Sequence, residues 1–154
     1  MPQDIQVRLA DRGDADTIVK FNVAMALETE HKELLLPVVT RGVRALFENP
    51  QHGFYLVAET ADEVVGCLMI TYEWSDWRCG VFWWLQSVYV KPEFRRRGVF
   101  RKLYEFLRVR AAQGADVCGF RLCFEQSNQA AQTTYGKIGM TKTSYGVFEQ
   151  EFRQ

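Results

Sequence analysis

Between Lys91 and Lys102 the chain sets Lys91, Arg95, Arg96, Arg97, Arg101 and Lys102 against one acid, Glu93. Formal net charge over the 154 residues is zero, so the remainder is net acidic. A concentrated basic patch on a balanced chain suits a small polyanion better than a polynucleotide, whose binders carry broad positive surfaces. The patch also sits in a specific local pattern. Trp83 to Val90 is uncharged and rich in aromatic and β-branched residues, as a buried strand is. Pro92 ends that strand, having no N–H for the ladder. Val99, Leu103, Phe106 and Leu107 then recur at helical spacing, and Gly98 stands where the turn opens into the helix. A helix start carries unpaired N–H groups and the positive end of the dipole, so strand, basic glycine turn and helix together describe a phosphate site. The arginine triplet alone would more often be a solvated surface turn.

A second group of residues could handle an amine and its proton. Glu28 and Glu30 close the first amphipathic stretch, and Glu73 and Asp76 lie beside Trp74 and Trp77, with Trp83 and Trp84 following. Ammonium groups favour both carboxylates and indole faces, so these residues could wall an acidic, aromatic acceptor pocket. The plainer reading of each acid is a solvated carboxylate, and of the tryptophans, sheet packing. A base is chemically useful because an alkylammonium is neutral only about one part in 2,500 at pH 7, a penalty of about 4.6 kcal/mol.

The remaining composition narrows the class. Cys67, Cys79, Cys118 and Cys123 form no Cys-x-x-Cys pair, and only His31 and His52 could help complete a metal site, so reduced, mostly buried thiols and no metal are expected. No apolar N-terminal leader and no uncharged span of 18 residues is present, which points to a cytoplasmic protein with no membrane or nucleic-acid partner. One domain spanning 1–154 is expected, large enough to bury a core unaided.

The elements that must position these residues follow in order. Residues 5–9 alternate as a strand, 15–30 form an amphipathic helix after a capping turn, and 37–47 form a second helix. Residues 54–59 and 64–73 make a hairpin, followed by the strand at 81–90, and short loops make all three antiparallel. The helix from Val99 to about Gln113 leads to a strand at 118–125, parallel to 83–90 by the usual crossover. Asn128 caps a helix through Lys137 that Gly139 ends, and Thr141 to Phe152 reads as a last strand with Tyr145 and Val147 inward. Such an exposed edge strand could pair two copies into a homodimer.

Val88-Tyr89-Val90-Lys91-Pro92-Glu93-Phe94-Arg95-Arg96-Arg97-Gly98-Val99-Phe100 resembles motif A of the GNAT superfamily of N-acetyltransferases. There an Arg/Gln-x-x-Gly-x-Gly/Ala loop holds the pyrophosphate of acetyl-CoA on its amides. Arg95 and Gly98 match the pattern, while Phe100 replaces a small residue. Asn128-Gln129-Ala130-Ala131-Gln132-Thr133-Thr134-Tyr135-Gly136-Lys137-Ile138-Gly139-Met140 resembles the family's Asn-x-x-Ala-x-x-x-Tyr-x-x-x-Gly-Phe segment, with Met140 for Phe.

The resemblance implies the GNAT fold: α/β, a mixed, mostly antiparallel sheet with a splayed central parallel strand pair and about four helices. It implies acetyl-CoA as cosubstrate, bound by Val88, Tyr89 and Val90 on the strand, by Arg95, Arg96, Arg97, Gly98, Val99, Phe100 and Arg101 at the turn, and by Asn128 and Tyr135. Tyr135 would donate a proton to the departing thiolate. In polyamine N-acetyltransferases, which Tyr72 to Trp77 distantly resemble, a glutamate occupies the position of Gln86. Glu28, Glu30, Glu73 and Asp76 are then the candidate bases, directly or through water. The expected activity is direct acetyl transfer to an amine, a small cationic or polyamine-like one foremost. The rivals are a protein N-acetyltransferase, a non-catalytic acyl-CoA sensor, and an adaptor that uses the arginines as a patch.

Overall fold

A computed structural model describes residues 4–114 and 116–153. The chain divides into two compact units, Met1–Cys123 and Phe124–Gln154. The first is built on a five-stranded sheet in the order β1 (Gln6–Leu9), β2 (Gly53–Glu59), β3 (Val64–Ser75), β4 (Gly80–Val90) and β5 (Val117–Leu122). All neighbours are antiparallel except β4 and β5, which are parallel and joined by α3 (Val99–Gln113). Helices α1 (Ala15–Glu30) and α2 (Leu36–Glu48) precede β2.

Strands β2 and β3 carry near-continuous apolar runs because both of their faces are covered. Leu56, Val57, Ala58, Val65, Cys67, Leu68 and Ile70 are fully buried. On one face Ile18, Val19 and Phe21 of α1 and Val43 and Leu46 of α2 pack on Tyr55, Val57, Cys67 and Tyr89. On the other, Tyr104 of α3 meets Phe120 edge-on at 5.5 Å, Phe120 stacks on Trp83 at 6.1 Å, and Trp83 meets Phe54 at 5.3 Å. The alternation of side chains along a strand sorts these residues between the two layers.

One ion network ties β1 to both neighbours. The Arg8 guanidinium donates two bonds to Asp14, at 2.8 and 3.0 Å, and two to Glu59, at 3.0 and 3.2 Å. Burial alone would push the Asp14 carboxyl up, but Arg8 and the Asp11 amide outweigh it and leave the group below the usual range.

The expected strand and helix order holds for the first unit with boundaries shifted by a few residues, and three expectations need correction. β5 stops at Leu122, not Glu125. The parallel pair lies at the edge of the sheet and not at its centre, because β5 has no further neighbour among the described residues. The thiols are not mostly buried: Cys67 is, but Cys79, Cys118 and Cys123 are exposed, since Cys79 sits in the β3–β4 turn and Cys118 on the edge strand.

The second unit contains α4 (Gln129–Lys137). Asn128 caps it by accepting from the Ala131 amide at 3.0 Å, and Gly139, at φ +97°, follows its end. The expected strand at 141–152 is absent. Tyr145 and Val147, read as inward, are 75% and 76% exposed, and no ladder partner meets them among the described residues. Residues that favour strands form one only against a neighbour, so the pattern alone was insufficient. The route to a homodimer through that strand goes with it.

Candidate active site

Strand β4 has two sides with different fates. Toward β3 it is paired along its length, from Ser75↔Gly80 to Gly66↔Val90. Toward β5 it is paired only from Val81↔Val117 to Leu85↔Leu122. From Gln86 to Val90 it runs on with no strand on that side among the described residues. The Lys91 amide donates to Val65 of β3 at 2.8 Å, so by alternation the main-chain groups of Val90 point to the open side. Just before it, β4 carries an extra residue. Cys67 faces Tyr89 while Met69 faces Gln86, so three steps on β4 match two on β3. Ser87 in this bulge takes φ +50°, a conformation that costs a β-carbon residue about 1–2 kcal/mol.

The turn that follows is held at its base and open at its tip. Pro92–Phe94 makes a single 3₁₀ turn, and Phe94 is buried beneath it. Arg96 at φ +65° and Gly98 at φ +76° then reverse the chain into α3. No side chain caps α3 at Gly98, and a β-carbon there would meet nothing within 4 Å. The start of α3 is therefore a cluster of amides without a side-chain cap at the positive end of a 15-residue helix. The Phe100 ring, the bulky departure from the family pattern, lies 6.2 Å from Tyr104 one turn on.

The basic cluster separates into committed and available cations. Lys91 pairs with Glu63, Lys102 donates to the Ile5 carbonyl at 3.3 Å, and Arg95 pairs with Glu28 at 2.7 Å. Arg96, Arg97 and Arg101 are exposed and have no carboxylate partner among the described residues, although Arg97 lies over the Phe94 ring at 5.4 Å. Three exposed guanidiniums around the helix start concentrate positive charge there.

The four candidate carboxylates do not form one pocket. Glu28 is bound on both oxygens, by Arg95 and by the Tyr89 hydroxyl at 3.3 Å. Glu73 pairs with Arg121, whose guanidinium lies 3.7 Å from the Phe82 ring centre. Glu73 faces Phe82 on β4, while Glu28 reaches Tyr89. Seven residues of strand separate those positions, about 20 Å. Glu30 and Asp76 are exposed, with no side-chain partner among the described residues. The tryptophans divide too: Trp83 is buried on the α3 face, Trp84 is half-buried on the other, and Trp74 and Trp77 are 60% and 86% exposed. Gln86 donates to the Thr71 hydroxyl.

Tyr135 lies on α4, half-buried, and burial pushes its hydroxyl above the usual range, so it keeps its proton at neutral pH. Two features carried no sequence signal: the bulge, whose residues include neither Gly nor Pro, and the Glu28–Arg95 pair, 67 residues apart.

Known proteins share the fold. The Acetyltransferase (GNAT) family pattern matches residues 24–140. No curated protein matches the chain. Among solved structures, a possible acetyltransferase from Clostridium difficile 630 is 43% identical, with a TM-score of 0.89 over 97% of this chain and 99% of that one. A predicted acetyltransferase from Clostridium acetobutylicum, solved with acetyl-CoA, is 15% identical, with a TM-score of 0.79 over 96% of each chain. AAC(6')-Iy, in complex with the bisubstrate analog CoA-S-monomethyl-acetylneamine, is 14% identical, with a TM-score of 0.75 over 96% of this chain and 98% of that one. The latter two likenesses are of fold alone. With its family pattern covering 24–140 and a 43% identical relative along nearly its whole length, the chain belongs to the GNAT acetyltransferase family.

Proposed function

We propose that the chain is an acetyl-CoA-dependent N-acetyltransferase that passes the acetyl group directly to an amine in a ternary complex. The supporting observation is that an open β4 edge runs into an uncapped helix start ringed by Arg96, Arg97 and Arg101. An extended pantetheine carries amides that suit the first, and a diphosphate suits the second. Acetyl-CoA is the donor characteristic of the family, and the C. acetobutylicum relative was solved with it.

In the reaction the amine nitrogen bonds the acetyl carbon and the carbon–sulfur bond breaks. Tyr135, protonated at neutral pH, supplies the proton that the leaving thiolate takes up. The amine's own proton leaves through water to solvent or to one of Glu28, Glu30, Glu73 and Asp76. Turnover through a cysteine acyl-enzyme is not part of this reading, since no base accompanies Cys118 or Cys123. The acceptor in this reading is a small cationic or polyamine-like amine; AAC(6')-Iy was solved with the bisubstrate analog CoA-S-monomethyl-acetylneamine. No helix among the described residues is long and apolar enough to cross a membrane, and three exposed thiols fit the reducing cytoplasm.

The sensor reading retains one observation in its favour: Gln86 and the doubly bound Glu28 leave no obvious base at the open half of β4. Thiol release from acetyl-CoA, measured across a panel of mono- and diamines, amino acids and peptides, separates the two. Release with a small amine supports the enzyme, and coenzyme A affinity without any release supports the sensor. Absence of coenzyme A affinity ends both.

A further inference from the structure

We propose that Arg95 is a positioning residue, held by Glu28 and Tyr89, that closes the end of the open β4 edge and leaves the phosphates to Arg96, Arg97 and Arg101. This rests on the reading of the edge and turn as the acetyl-CoA site. The Arg95 guanidinium makes three commitments at once. Its Nε donates to the Val90 carbonyl at 2.8 Å, its terminal nitrogen pairs with Glu28 Oε2 at 2.7 Å, and its plane lies over the Tyr89 ring at 5.4 Å. The Tyr89 hydroxyl donates to Glu28 Oε1 at 3.3 Å, which completes a ring of contacts joining α1 to β4.

Two consequences follow from the geometry. Val90 is the last residue of the open edge, and its carbonyl already accepts from Arg95, so the guanidinium competes there with any donor of an added extended chain. Arg95 also precedes Arg96, whose φ of +65° is unfavourable for a residue with a β-carbon. Fixing Arg95 on both sides holds that backbone in the shape that presents the α3 amides. A guanidinium so engaged is the first in the triplet and the one furthest from being available to a phosphate.

The test turns on a sign. Glu28 is a negative charge beside a site for a polyanion, so simple electrostatics says that Glu28→Gln tightens coenzyme A binding, most visibly at low salt. The positioning role says the opposite. Coenzyme A is titrated calorimetrically into wild type, Glu28→Gln, Tyr89→Phe, Arg95→Lys, Arg95→Gln and the Glu28→Gln/Arg95→Gln double variant, at two salt concentrations. Expected is a Kd raised roughly fivefold in Glu28→Gln and in the same direction, by less, in Tyr89→Phe. Arg95→Lys, which keeps the charge but not the fork, loses as much as Arg95→Gln. The double variant is no worse than Arg95→Gln alone, and the salt dependence of Kd stays that of wild type throughout.

Tighter or unchanged binding by Glu28→Gln overturns the proposal. So does a shallower salt dependence in Arg95→Gln with rescue by lysine, the signature of a phosphate ligand. Both side chains are about two-fifths exposed, 39% and 44%, and circular dichroism of each variant checks that the fold is kept. A wild type that fails to bind coenzyme A sinks the functional reading and takes this one with it, whereas a wild type that binds while Glu28→Gln binds tighter sinks only this one.

Discussion

The two halves of β4 are finished in opposite ways. From Val81 to Leu85 the backbone is paired on both sides, but the face toward α1 is left partly open, with Glu73, Thr71, Trp84 and Gln86 lying along it. From Gln86 to Val90 the backbone loses one neighbour, but Tyr89 is packed under Phe21 of α1 at 5.0 Å. Each half also has a carboxylate–guanidinium pair, Glu73–Arg121 in the first and Glu28–Arg95 in the second. In the paired half the ion pair crosses strands that hydrogen bonds already join. In the open half the pair joins the end of α1 to the turn after β4. The same interaction accompanies a paired backbone in one setting and, in the other, a backbone with one neighbour among the described residues.

Four measurements can break or sharpen that contrast. The largest effect is expected from Tyr135→Phe, which should lower turnover on the order of 10²-fold in a thiol-release assay while leaving coenzyme A affinity near wild type. Next comes Gly119→Val in the paired half. Even a first β-carbon there would stand 2.8 Å from Cε1 of Phe82, so the variant should lose about 1–3 kcal/mol in urea unfolding, again with little change in coenzyme A affinity. A large affinity loss in Gly119→Val would show that the two halves are not separable.

The third concerns the covered face of the open half. Burial pushes the Cys67 thiol up to about 12 from an ordinary value of 9.0, and burial likewise pushes Tyr55 to about 12. The folded state therefore keeps protons that the unfolded chain has lost. Stability present below pH 9 should fall as pH rises toward 12, by up to about 1.4 kcal/mol per unit for each group. Urea melts between pH 8 and 10.5 should show that slope, and Cys67→Ala should flatten it. Smallest is Glu73→Gln, whose coenzyme A affinity should stay within about twofold of wild type, because its partner Arg121 lies on the paired side. An effect as large as that of Glu28→Gln would erase the contrast.

Much of the scaffold was legible in the chain. Helix α1 falls on Ala15–Glu30 as its periodicity predicts, and the crossover rule gives the parallel direction of β5. Asn128 was readable as a cap because capping chemistry is local. What escaped was non-local. Glu28 could be seen as a candidate base but not as the partner of Arg95, since nothing in either neighbourhood encodes the meeting of an α1 end with a turn after β4. The exposure of Cys118 goes with β5 being the last strand of the sheet among the described residues. Local chemistry located the basic glycine turn between β4 and α3, whereas the division of its arginines into committed and available ones needed three-dimensional neighbours.

The single extra residue between Gln86 and Tyr89 acts on β4 as a frame shift acts on a message. Phe82, Trp84 and Gln86 share a face with Tyr89 only because three steps separate Gln86 from Tyr89 where the partner strand takes two. The bulge absorbs that shift: with Ser87 kept in a regular strand, Trp83 and Leu85 would turn away from the α3 layer and Trp84 and Gln86 into it, whereas deleting Ser87 leaves two steps on each strand and keeps every face as it is. The bulge thus lets an odd number of residues join two stretches whose side chains keep common faces, Trp83 buried and Trp84 half-buried.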